Sequence, residues 1–221
     1  MTLTTETYRQ LLDLTVGVVL IAAVLTLWRR SLRAIVRILA GQGAAVAGVA
    51  LLVGVYRGEV GDVVVAGLFA AVKVVVIPAV LLRVVRDAPD QRDTEPIINV
   101  ATTLLGSAVL TVAALAATRG LVGLDSSPEA TVLPAGFAVV LIAFFGLVVR
   151  RNAVAQIVGF LLLENGIAVV ALLASAGISL TVELAVALDL LLAVLVLQVL
   201  TTRMQAKYGG LELDHLNELA D

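Results

Sequence analysis

Four ionisable side chains lie well inside long apolar stretches of this sequence: Lys73, Glu164, Glu183 and Asp189. A charge near the centre of a bilayer costs on the order of 2.5–3.5 kcal/mol on insertion scales, so each side chain needs a polar partner or water. A carboxyl group held at that depth can take up a proton, release it, and exchange it through trapped water. The pattern predicts a proton relay formed by Glu164, Asp189 and Lys73.

Other roles for these residues stay open from the sequence alone. Glu164 and Asp189 could instead form a static polar contact that anchors one helix to another. Lys73 could be the structural counter-ion of a carboxylate in this chain or in a neighbouring subunit. Glu183 lies near the outer end of its span, where water can solvate it, so it is at most an accessory group. Asn165, beside Glu164, could add a hydrogen bond across helices and is a second accessory candidate.

The composition limits the class of protein that carries these residues. The chain has 221 residues, of which 61% are hydrophobic and 14% charged, whereas soluble domains average about 45–50% and about 25%. A soluble enzyme is therefore excluded, and the net charge of -2 gives no reason to expect a nucleic-acid partner. With no cysteine and one histidine, we expect no metal site, no cofactor and no catalytic residue in this chain.

Apolar runs of this length predict helices that cross a membrane, because only helices satisfy every backbone polar group inside a bilayer without closing a barrel. We predict an all-α, multi-pass protein with seven spans, at 10–28, 34–55, 61–82, 97–117, 132–149, 154–176 and 178–201. Of the 15 basic residues, 11 fall on one side of this arrangement, which places the N-terminus outside and the C-terminus in the cytoplasm. The expected location is the inner (plasma) membrane of the cell.

Two stretches rich in proline, glycine and polar residues, 83–96 and 118–131, are predicted to be loops. They divide the chain into a three-helix block (1–96), a fourth helix with its outer loop (97–131), and a final three-helix block with a cytoplasmic tail (132–221). The small residues of 40–49 predict a face on which helices pack closely. Pro78, five residues after Lys73, predicts a distortion of the third span.

The last third of the chain resembles a known family. The segments Arg151–Gly159 (RNAVAQIVG), Leu163–Gly166 (LENG) and Leu211–Leu219 (LELDHLNEL) resemble hydrogenase-4 component E (HyfE), a NuoK-like subunit family of complex I and group 4 membrane-bound hydrogenases. Similarity to NuoK itself covers residues 132–221. The longer HyfE architecture also has a lysine followed by a proline in its third span, as Lys73 and Pro78 are here.

The resemblance implies a function for the buried carboxyl groups. In NuoK-like proteins two membrane glutamates take part in proton transfer; Glu164 matches the first, and Asp189 stands where the second would be, with a side chain shorter by one methylene group. The implied protein is a non-redox subunit of a hydrogenase-4 or formate hydrogenlyase-like complex. Its implied partners are antiporter-like membrane subunits, a peripheral hydrogenase-type arm and membrane lipid.

Three other functions compete with this one. A NuoK/MrpC-like subunit of a multi-subunit cation/proton antiporter is the first alternative, although four additional N-terminal spans argue against it. A self-sufficient small transporter would need a substrate cavity of its own and inverted repeats, which the sequence does not show. A purely structural scaffold subunit is the third.

Overall fold

The computed structural model describes residues 4–58, 60–87, 99–124, 127–150 and 153–174, and the elements among them are helices. In chain order they are α1 (Thr5–Trp28), α2 (Leu32–Arg57), α3 (Val60–Ala70), a π-helical segment (Ala71–Val76), α4 (Ile77–Asp87), α5 (Val100–Val122), α6 (Pro128–Val149) and α7 (Ala153–Ala174). The three pieces from α3 to α4 follow one another without a break and correspond to the third predicted span.

Within these described residues, six helices are long and apolar enough to cross a membrane. The 22 residues of α7 span about 33 Å at 1.5 Å per residue, against a hydrocarbon core of about 30 Å. The prediction of a multi-pass all-helical protein is confirmed, with six helices here instead of seven. The seventh predicted span, 178–201, lies outside the described residues, as do the C-terminal tail and residues 88–98 of the first predicted loop.

The prediction of a loop over 118–131 is wrong at both ends. Helix α5 continues through Gly120 to Val122, and α6 already begins at Pro128. In an apolar environment, an intact ladder of backbone hydrogen bonds outweighs the weak helix propensity of one glycine. Ser127 caps α6 by accepting a 3.2 Å hydrogen bond from the Ala130 N–H, and proline fits the first helical position because no partner for its missing N–H is needed there.

Four helices form the centre of the bundle. Helix α1 packs against α2 and α6, and α7 packs against α2 and α6. The continuous element from α3 to α4 covers another side of α2, and α5 lies against α6 and α1. The contact between α6 and α7 is close because Gly166 faces the backbone of α6, where an added Cβ would lie 2.9 Å from the Val140 nitrogen. Small residues at such contacts let helix backbones approach, which is how helices associate in lipid.

The outer surface of α5 is apolar. Leu105, Val109 and Val112 are each 60–67% exposed, and α5 buries mainly small or hydroxyl-bearing residues against its neighbours. Such a surface suits contact with lipid acyl chains. Of the polar side chains that the sequence singles out, Lys73, Glu164 and Asn165 lie instead in the interior, on elements that pack against α2.

Candidate functional site

Lys73 lies in the π-helical segment, in the middle of the third span. The Ile77 N–H donates to the Val72 carbonyl, five residues back, which is the wider bonding pattern of a π-helix. Pro78 follows directly and has no N–H to donate into the preceding turn. The distortion that the sequence predicts near Pro78 therefore takes the form of a widened turn that contains Lys73. Short π-helical turns inside α-helices are frequent at functional sites.

The ammonium group of Lys73 forms an ion pair with Glu164 of α7. Lys73 Nζ donates a hydrogen bond to Glu164 Oε2, and the two side chains are only 2% and 9% exposed. Glu164 is 11 residues from the start of α7, about 16 Å along the helix, which places the pair near mid-membrane. Two opposite charges at this depth stabilise each other, but most of that attraction offsets the loss of their hydration.

A chain of amide groups leads away from the ion pair. Lys73 Nζ also donates to Asn165 Oδ1 at 2.6 Å, and Asn165 Nδ2 donates to Gln42 Oε1 at 2.9 Å. Gln42 Nε2 then donates to the Val19 carbonyl of α1 at 3.1 Å. Asn165 and Gln42 are 3% and 0% exposed, so the chain lies in the interior. It connects α1, α2, the π-helical segment and α7 through polar contacts alone.

A small cavity lies beside the ion pair. It is lined by Lys73, Glu164, Asn165 and three apolar side chains, Leu39, Ile77 and Leu161, and it has room for about one water molecule. A site for water needs two to four polar partners, and the ammonium, carboxylate and amide groups supply them. The cavity gives Glu164 a neighbouring position from which a water molecule could deliver or remove a proton.

The structure brings together three of the five predicted site residues: Lys73, Glu164 and Asn165. The other two, Glu183 and Asp189, lie outside the described residues. Among the residues that the structure does describe, no group of histidine, cysteine, aspartate and glutamate side chains is arranged to hold a metal ion. The counter-ion role of Lys73, left open by the sequence, is present here within one chain.

Gln42 is a member of the network that the sequence reasoning missed. It falls within the stretch of small residues at 40–49, for which the sequence predicts only a face of close helix packing. Close packing is indeed found there, since a Cβ added to Gly43 would lie 3.1 Å from Lys73 Cβ. An amide side chain ten residues into an apolar span was the signal, because it too needs a buried hydrogen-bond partner.

Arg150 lies between the fifth and sixth predicted spans and is one of the 11 basic residues that the sequence assigns to the cytoplasmic side, but it is only 6% exposed. Its guanidinium group donates to the Thr26 carbonyl at 2.6 Å and to the Arg29 carbonyl at 3.1 Å. A cation at this position satisfies carbonyl groups that the last turn of a helix leaves without helical partners, and it complements the helix dipole. It attaches the end of α1 to the end of α6.

A second polar contact joins the opposite end of α1 to the beginning of α6. The Tyr8 hydroxyl donates to Glu129 Oε1 at 2.7 Å, and its ring stacks on that of Tyr56 with 3.9 Å between the ring centroids. Tyr8 is fully buried. Polar contacts thus join α1 to α6 at both ends of these helices, and the ion pair lies between the two levels.

The chain is 45% identical over 212 residues to the uncharacterized protein Rv0085 of Mycobacterium tuberculosis, and the match covers 96% of each chain. The chain belongs to the same family as this mycobacterial protein. Its relationship extends over nearly the whole length, so the N-terminal helices are part of the family's architecture and not an addition peculiar to this chain. No protein-family model matches the sequence, and no solved structure matches it.

Proposed function

We propose that this chain is a non-redox membrane subunit of a hydrogenase-4 or formate hydrogenlyase-like complex. In this role it relays protons through buried carboxyl groups and so couples redox chemistry in a peripheral arm to ion translocation. The observation that carries the proposal is the pairing of Glu164 with Lys73 at mid-membrane depth, beside a cavity with room for water. The resemblance of 151–166 and of the C-terminal tail to hydrogenase-4 component E supports the choice of complex.

The relay works through the balance of charge at the ion pair. While Glu164 is ionised, Lys73 holds it and compensates its charge. When a proton arrives through the cavity, Glu164 becomes neutral and its attraction to Lys73 falls. When the proton leaves, the carboxylate is restored and Lys73 holds it again. A group that alternates in this way passes protons without any metal or cofactor.

The proposal includes the remaining parts of the predicted architecture. The seventh span, 178–201, supplies Asp189 as the next proton-binding group, and Glu183 is an accessory group near its outer end. The N-terminus lies outside and the C-terminus in the cytoplasm, in the plasma membrane. The partners are antiporter-like membrane subunits on either side and a hydrogenase-type arm that holds the redox centres. The chain itself is a non-catalytic subunit of that oxidoreductase complex.

The test is an exchange of Glu164→Gln in the intact complex. Inside-out membrane vesicles are supplied with formate or dihydrogen, and proton uptake is followed with a pH-sensitive dye. We expect the complex to assemble and proton uptake to be lost, because the amide cannot bind and release a proton. Asp189→Asn and Lys73→Met are expected to lower proton uptake as well. Ser107→Ala is the control, since the buried Ser107 hydroxyl donates its hydrogen bond to the Thr103 carbonyl of its own helix, α5.

Unchanged assembly and unchanged proton uptake in Glu164→Gln would refute the relay. Loss of assembly in all three exchanges, with normal Ser107→Ala, would favour a scaffold subunit. The subunits that co-purify with the chain identify the complex to which it belongs. A nickel-hydrogenase large subunit supports the proposal, whereas antiporter subunits alone would favour the cation/proton antiporter.

A further inference from the structure

The amide chain from Val19 to Lys73 has a fixed direction. A backbone carbonyl can only accept hydrogen bonds, so the Gln42 side chain must turn its Nε2 toward Val19 and its Oε1 toward Asn165. Asn165 must in turn direct its Nδ2 toward Gln42 and its Oδ1 toward Lys73. Reversing either amide would place two donors or two acceptors against each other. The Val19 carbonyl thus fixes the orientation of both amides, and as a result the oxygen of the Asn165 side chain, not its nitrogen, faces Lys73.

This arrangement gives Lys73 two adjacent acceptors on α7 that differ in one respect. Glu164 Oε2 changes its charge whenever the carboxyl group takes up a proton, whereas Asn165 Oδ1 does not. The bond to Asn165 therefore persists through both states of Glu164. Gly43 of α2 also lies against the backbone of Lys73, since a Cβ placed there would be 3.1 Å from the Lys73 Cβ and 3.1 Å from its carbonyl oxygen, closer than most contacts of a Cβ.

We propose that Gln42 is a positioning residue for proton transfer at Glu164: acting through Asn165, it keeps the Lys73 ammonium beside the carboxyl group while that group is neutral. Without Gln42, the Asn165 amide loses the partner that orients it, and Lys73 loses an acceptor whose charge does not change when Glu164 is protonated. Proton release from Glu164 then slows, because the ammonium group is less often beside the carboxyl group. This inference rests on the proposed function, because it assigns Gln42 a part in the same relay.

The experiment measures formate- or dihydrogen-driven proton uptake in vesicles that contain the intact complex with Gln42→Met. Methionine retains nearly the same volume but has no amide group. We expect assembly to persist and proton uptake to fall about tenfold, the fold-change typical of losing a hydrogen bond that orients a charged group. Ser107→Ala is expected to leave uptake unchanged. Wild-type uptake in assembled Gln42→Met would overturn the inference.

A double-variant comparison separates positioning from simple structural support. In an Asn165→Leu background the link from Gln42 to Lys73 is already broken, so Gln42→Met is expected to cause no further loss of proton uptake. If Gln42 only ties α2 to α1 through Val19, the loss will be the same with and without Asn165, and the inference is wrong. Gln42→Asn is the second variant, with an amide one methylene too short to reach both neighbours. It is expected to assemble and to lower uptake.

Failure of the complex to assemble with either Gln42 variant would also count against positioning, since it would make Gln42 a structural tie. Glu164→Gln, measured in the same vesicles, distinguishes the two proposals. If Glu164→Gln abolishes uptake while Gln42→Met does not change it, only the role of Gln42 is refuted. If Glu164→Gln pumps protons normally, the relay itself is refuted, and the role of Gln42 with it.

Discussion

Removing one member of the buried ion pair is expected to destabilise the fold more than removing both. In Lys73→Met, the carboxyl group of Glu164 loses its cation in an environment where it is only 9% exposed. Leaving one charge of a buried pair without its partner costs about 3–5 kcal/mol. Asn165 Oδ1 loses its donor as well, at about 1–3 kcal/mol, which moves the expected loss toward the upper end of that range.

The double variant, Lys73→Met with Glu164→Gln, removes both charges. Because neither member of this ion pair is then left without the other, we expect the double variant to lose less free energy of unfolding than Lys73→Met alone. The two single losses are therefore strongly non-additive, as expected for groups in direct contact. An ion pair at a hydrated surface would behave differently, because either single exchange would lower the free energy of unfolding by only about 0–1 kcal/mol.

The assay is a denaturant titration of the purified full-length chain in mixed detergent micelles. Trp28, the single tryptophan of the sequence, provides the fluorescence signal at the end of α1. A loss below about 1 kcal/mol in Lys73→Met, or a double variant that loses the sum of both single changes, would refute the argument. Either result would mean that water solvates the pair, so that Glu164 is not the desolvated carboxyl group on which the relay depends.

Three further exchanges test the packing around the site by the same titration. Gly166→Ala is expected to cost about 1–3 kcal/mol, because the new Cβ would lie 2.9 Å from a backbone nitrogen of α6, whereas Gly17→Ala, with no atom within 4 Å, should cost nothing. Arg150→Gln is expected to lose about 1.5–3 kcal/mol because carbonyls of α1 lose a charged donor; a stability equal to wild type would contradict its capping role. Tyr8→Phe should cost about 1.5–3 kcal/mol through the lost bond to Glu129, and an unchanged midpoint would show that this bond contributes nothing.

The sequence predicts the helices well because the physics that determines them is local. An apolar run of sufficient length has to become a helix in a bilayer, whatever its neighbours are. The same reasoning identifies Lys73 and Glu164 as residues that need partners. It cannot identify the partners, because Lys73 and Glu164 are 91 positions apart and meet only when the third span and α7 both pack against α2.

The missed features share one physical cause. Gln42, the buried position of Arg150 and the π-helical turn at Lys73 all depend on contacts between helices. A neutral amide costs much less to bury than a charge, so Gln42 does not stand out in a hydropathy pattern. Arg150 is basic and close to a span end, which is also true of residues that remain in water. The sequence alone therefore does not distinguish polar residues that become buried between helices from those that remain in water.

In the proposed relay, the network around Glu164 limits the route that protons can take. On the Asn165 side, the polar path ends at the Val19 carbonyl after two amide groups, and an amide exchanges protons far less readily than a carboxyl group or water. That branch can hold Lys73 in place, but it is closed as a route for protons. The proposed relay therefore places proton exchange at Glu164 itself, through the cavity that Leu39 and Leu161 help to line. In the proposed relay, this cavity is therefore the position beside Glu164 at which a proton would enter or leave.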